Sequence, residues 1–152
     1  MSYSTVEARK DLLAAVGDAI DDLAKALAAL GAAYERLDPH KAEELEVGLF
    51  GPVQVAYGRA RRTAGAFAER YSLPVRSFSK FTAGAPSGGV KGYLDDTVAA
   101  VTSADATIAT LQDSMMPVEV GDAQLRAGLA EVRELIADVP QRASALARTF
   151  GR

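Results

Sequence analysis

The chain has no cysteine and no tryptophan, one histidine, and few aromatic residues (7%). Without cysteine there is no disulfide, no thiolate metal site and no thiol nucleophile. With His40 alone, a histidine-dependent triad has one possible base, and a metal site built from several histidines cannot form within one chain. Long apolar runs are also missing, so the sequence predicts no transmembrane segment. The opening stretch MSYSTVEARKDLL is polar and charged, unlike a secretory signal. With the absence of cysteine, this points to a cytoplasmic protein.

Alanine is abundant, with 30 of the 152 residues. It is the strongest intrinsic helix former, while strand-favouring aromatics are scarce. Half the chain is apolar (49%), 24% is charged and the mean hydropathy is +0.03, which is a globular balance. The length suits one domain over 1–152, large enough to bury a core.

Helical periodicity runs through most of it. Val6, Leu13, Val16, Ile20, Leu23, Leu27, Leu30, Tyr34 and Leu37 fall on three- and four-residue steps, with Arg9 filling one gap. Ser4 and Glu7 have the capping-box spacing that starts such a helix. Asp38-Pro39 then ends the first helix and opens a second, since Asp accepts from unpaired N–H groups and Pro at the first position loses none. The second seam is Leu45, Leu49, Val53, Ala56, Ala60, Ala64, Phe67 and Tyr71. Pro52 within it clashes with the carbonyl of Gly48, which predicts a kink or break. Residues 72–92 carry Pro74, Pro86, Gly84, Gly88, Gly89 and Gly92, so they read as a long Gly/Pro-rich connection. A third seam, Leu94, Thr97, Val101, Ala104, Ile108, Leu111 and Met115, ends at Pro117. Asp122 caps a fourth, Leu125, Leu129, Val132, Ile136, Val139, Ala143, Leu146 and Phe150, in which Pro140 predicts a kink near Ile136. The expected fold is all-α: an antiparallel four-helix bundle with kinked second and fourth helices and one long connection.

Charge is segregated. Net charge is -3, yet residues 59–91 hold seven basic residues and one acid. The basic set is Arg59, Arg61, Arg62, Arg70, Arg76, Lys80 and Lys91, and six of the ten aromatics lie between Tyr57 and Tyr93. Arginine forks bind carboxylate and phosphate bidentately, and the glycines of Ser87-Gly88-Gly89 offer backbone N–H groups before a helix. This is a candidate site for an anion or a partner. The same charges also complement the C-terminal dipole of the second helix and the acidic helices around them. The loop lacks the Gly-Lys-Ser/Thr spacing of a nucleotide phosphate loop, and the acidic net charge disfavours nucleic acid.

Other constellations are thin. His40 with Glu43 and Glu44 lacks the paired Glu-x-x-His motifs of a di-iron bundle, and Asp21-Asp22 and Asp95-Asp96 point about 100° apart on a helix. Tyr34-Glu35-Arg36-Leu37-Asp38 resembles the Tyr-x-x-x-Asp export signal of helical-hairpin substrates of mycobacterial-type specialised secretion systems, but their Trp-x-Gly turn has no counterpart here. No cofactor or metal site is expected. The reading that follows is a non-enzymatic module acting through contact with itself or another protein, with a homodimer formed through the apolar run Val47–Val55 and the long connection. The alternative is a binding module for an anionic ligand (a phosphorylated small molecule, RNA or an anionic lipid surface). A metal-free enzyme using Arg9 or Asp105 in an interior cavity is a third.

Overall fold

The computed structural model describes residues 4–78, 80–84 and 88–150, and among them the only regular structure is helical. Helix α1 spans Thr5–Glu35, α2 Pro39–Leu45, α3 Gly51–Arg70, α4 Gly89–Asp113, α5 Met116–Glu119, α6 Ala123–Ile136 and α7 Val139–Phe150. The starts follow side-chain chemistry. Ser4, Asp38 and Asp122 accept from the backbone N–H groups of Glu7, Lys41 and Leu125, so three helices open on capped donors. α4 opens differently, on Gly89 at φ 61°, a left-handed conformation that a side chain would resist.

The two interior prolines act in different ways. A π turn, Glu46–Phe50, joins α2 to α3 just before Pro52, with the Gly51 N–H reaching back to the Glu46 carbonyl. The wider turn keeps the helical run unbroken across the proline. In the C-terminal stretch the helix stops at Ile136 and restarts at Val139, so Pro140 lies in the first turn of α7, where its missing N–H costs nothing. α3 ends in a Schellman arrangement. The Leu73 N–H reaches the Ala68 carbonyl at 2.8 Å and the Ser72 N–H reaches that of Glu69, with Ser72 at φ 54° in the place glycine usually takes.

Side-chain contacts orient the helices. Arg9 stacks on Tyr71 and Tyr34 meets Phe50 edge-on, so α1 and α3 run antiparallel. Arg36 lies over Tyr93 while Arg9 reaches the Val120 carbonyl, so α1 and α4 are antiparallel too. Arg59–Glu131 and Arg70–Asp122 give the same relation for α3 and α6. Hence α3 and α4 point the same way, and the chain must travel back along the molecule between them. Among the described residues of that return, Arg76 pairs with Asp21 and Phe81 lies under Lys25, both beside α1. The connection is thus a crossover, which the sequence left open. Ser87 and Pro86 of the predicted Gly/Pro-rich connection lie outside the described residues.

One buried cluster joins the helices. The seam from Leu45 to Phe67, which runs from α2 through the π turn into α3, is buried throughout, as are the seams Leu94 to Leu111 and Leu125 to Ala143. α1 departs from expectation. Leu12, Ala19, Ala26, Ala29 and Ala33 are buried, while Val6 and Tyr34, both placed on the seam by periodicity, are exposed. Small alanines let α1 approach its neighbours closely, so its buried face is wider than its large apolar residues mark. Two buried threonines, Thr63 and Thr97, donate to the carbonyls of Arg59 and Tyr93 one turn back. Among the described residues no buried side-chain donor or acceptor is left unpaired.

Candidate functional site

The crossover leaves a groove between itself, α1 and α3. Its volume is about 730 Å³, within the range of small-ligand sites. Leu13 and Ala14 of α1, Ala64, Gly65 and Ala68 of α3, and Leu73, Pro74 and Val75 of the crossover form a mostly apolar lining. Lys10, Arg61, Arg62 and Arg76 stand around it, and among the described residues no carboxylate lines it. In a chain of net charge -3 this is a local reversal of sign. Low-dielectric walls strengthen such a field inside a cleft.

Local folding produces each part. The Schellman turn at Ser72 sends Leu73 inward, where it is 9% exposed, and starts the crossover over the groove. Arg76 then lies on α1 at Gly17, where a β-carbon would overlap its guanidinium, and pairs with Asp21 one turn on. Phe78 follows, flanked by Arg76 at 4.9 Å and Arg61 at 5.7 Å from its ring centre. Arg61 also stacks on Tyr57 at 5.6 Å. Such contacts hold a guanidinium in place without neutralising it. On the floor, a β-carbon at Gly65 would meet nothing within 4 Å. Glycine inside a helix costs roughly 1 kcal/mol relative to alanine, and no neighbour's packing requires it here.

The seven basic residues singled out from sequence are divided by the fold. Arg61, Arg62 and Arg76 line the groove. Arg59 is bound to Glu131 at 2.7 Å and Arg70 to Asp122 at 2.7 and 2.9 Å, so both tie α3 to α6. Lys91 pairs with Asp95 on α4 at 3.4 Å, away from the groove, and Lys80 is exposed on the crossover. Arg61 and Arg62 have no ion pair among the described residues, and Arg76 has one. Lys10 joins the groove without having stood out in sequence, because it belongs to an acidic stretch and only the packing of α1 on α3 brings it there.

The remaining candidates are absorbed by structure. Arg9 donates to the Val120 carbonyl at 2.9 Å and lies 3.9 Å from the Tyr71 ring centre, so it braces three elements rather than reaching into water. Asp105 receives Arg133 at 2.8 Å, and the Arg133 guanidinium also donates to Gln112. The Asp105 hydrogen bond raises the Arg133 pKa against the opposing effect of burial. His40 is exposed beside Glu44 at 3.2 Å. Asp122 is the most worked carboxylate. Burial pushes its pKa up, but hydrogen bonds from Arg70, the Leu125 N–H and Tyr71 together hold it below the ordinary aspartate value. No helix among the described residues is long and apolar enough to cross a membrane.

Chemically, the groove supplies hydrogen-bond donors of positive charge beside apolar surface. Among the described residues its lining carries no carboxylate and no side-chain hydroxyl other than the Tyr57 phenol. Comparison of the chain with protein-family models, with curated proteins and with solved structures finds no match.

Proposed function

We propose that this chain is a non-enzymatic antiparallel four-helix bundle, its second and fourth limbs bending at the π turn and at Ala137-Asp138, and that it binds an anionic ligand in the groove beneath the crossover. One observation carries the reading: Arg61 and Arg62 at one end and Lys10 towards the other line a single apolar groove, with no carboxylate among the described lining residues. A patch meant only to balance internal acids would be spent on them, as Arg59 and Arg70 are.

The test uses the dye 8-anilinonaphthalene-1-sulfonate, an anion with an apolar body. Wild type is expected to enhance its fluorescence saturably, and added salt to weaken binding. The double variant Arg61→Ala/Arg62→Ala, with unchanged helicity by circular dichroism, is expected to bind about tenfold or more weakly. Equal binding by both proteins rejects the groove as the site.

A second reading, self-association, is favoured by Val47 and Val55. They are 72% and 53% exposed on the second limb. Sedimentation velocity over a wide concentration range tests it. A dimer lost in Val47→Glu/Val55→Glu supports it, and a monomer at every concentration removes it.

A further inference from the structure

Building on the anion-binding reading, we propose that the groove's ligand is a single-chain amphiphile with one carboxylate head, held as a free monomer with its tail along the α1–α3 floor. The shape of the site argues for the tail. Lys10 follows Arg9, which stacks on Tyr71, whereas Arg61 stacks on Phe78. On α3 the positions 61 and 71 are ten residues apart, about 15 Å of helix. The groove is therefore long, with its arginines at one end. Between the ends lie Leu13, Ala64, Gly65, Ala68 and Leu73, which offer no side-chain polar atom. A phosphorylated sugar or a nucleotide would bury hydroxyls there without partners.

Gly65 is the second observation. A side chain there would project into open space, so the missing side chain serves no packing contact and leaves the channel free. The head follows from the donors. Arg61 and Arg62 both line the groove, and the planar fork of one guanidinium matches the two oxygens of a carboxylate. Their backbone N–H groups are inside α3 and already committed to the helix, so no nest of amides is present to cradle a third phosphate oxygen. The volume of about 730 Å³, partly roofed by Leu73 to Phe78, suits a small molecule rather than a partner helix.

The full chain is titrated by calorimetry with dodecanoate, butyrate and dodecyltrimethylammonium, each below its micellar concentration, and by flotation with phosphatidylglycerol vesicles. Dodecanoate is expected to bind about tenfold or more tightly than butyrate, since each buried methylene adds affinity. The cationic amphiphile is expected not to bind. Gly65→Leu fills the channel and also removes a helix-interior glycine. It is expected to keep or raise the melting temperature while weakening dodecanoate about tenfold or more. Arg61→Ala/Arg62→Ala is expected to do the same through the head.

Equal affinity for butyrate and dodecanoate would overturn the tail and leave the anion site standing. Equal affinity for dodecanoate and the cationic amphiphile, or no binding of either carboxylate with no response to the sulfonate dye, would overturn both. Binding to vesicles without binding of the monomer would replace the ligand by a membrane surface. Unchanged dodecanoate binding in a folded Gly65→Leu variant would remove the groove from the proposal.

Discussion

Arg70 and Asp122 form a two-pronged ion pair, at 2.7 and 2.9 Å, between the last turn of α3 and the residue that opens α6. The same carboxylate accepts from the Leu125 N–H at 2.8 Å and from the Tyr71 hydroxyl at 3.2 Å. One side chain thus caps a helix, ties two limbs and fixes the exit of α3 from which the crossover departs. The groove inherits its floor and roof from that corner.

The pair gives stability a dependence on pH. Asp122 has a lower pKa folded than unfolded, so the unfolded chain takes up its proton first as pH falls. Its contribution is complete above the ordinary aspartate value of 3.8 and is lost as pH drops through that value and below. Asp122→Asn keeps a capping side chain but not the charge. It is expected to destabilise the protein by about 1–3 kcal/mol at neutral pH. The gap to wild type should close as pH falls below about 4, as read by urea unfolding at several pH values. A gap that stays constant with pH would show that the charge of Asp122 is not what the fold uses.

Gly128 and Thr63 set the spacing of α3 and α6. A β-carbon at Gly128 would overlap the Thr63 side chain, which is buried at 4% exposure and held by its bond to the Arg59 carbonyl. Gly128→Ala is expected to cost about 1–3 kcal/mol, despite alanine's better helix propensity. Adding Thr63→Ala should recover part of that loss, so the two changes combine to less than their separate effects. Additive losses in a thermal or urea melt would place the strain elsewhere.

Ser72 takes a left-handed conformation at φ 54° without being glycine. That conformation costs a residue with a β-carbon roughly 1 kcal/mol. Ser72→Gly is expected to raise stability by about 0.5–1 kcal/mol and to leave the Schellman bonds intact. The unfolded-state entropy of glycine opposes the gain, so a loss in the melting experiment would mean that entropy outweighs the relief.

The helical seams were legible because burial of one face repeats at the period of the helix. Leu45 to Phe67 and Leu125 to Ala143 need no tertiary knowledge to be read as core. On α1 the same rule misplaced Val6 and Tyr34, since its core face is largely alanine and alanine gives little contrast between inside and outside. The basic segment was visible as composition, yet composition does not say which charges are already paired. Arg59, Arg70 and Arg61 look alike in the chain and separate only when Glu131 and Asp122 arrive from α6.

By itself, then, the sequence determined the local matters: the helical segments, their capped starts at Ser4, Asp38 and Asp122, and the excess of positive charge between 59 and 91. These depend on neighbours within a turn or two, which the linear order records. The tertiary structure alone decided that the chain crosses over between α3 and α4, that Lys10 lines the same groove as Arg61 and Arg62, and that Gly65 faces open space. Those facts arise from residues far apart in the chain, brought together when burial of several apolar faces at once selects one packing, and a groove is defined by what that packing leaves unfilled.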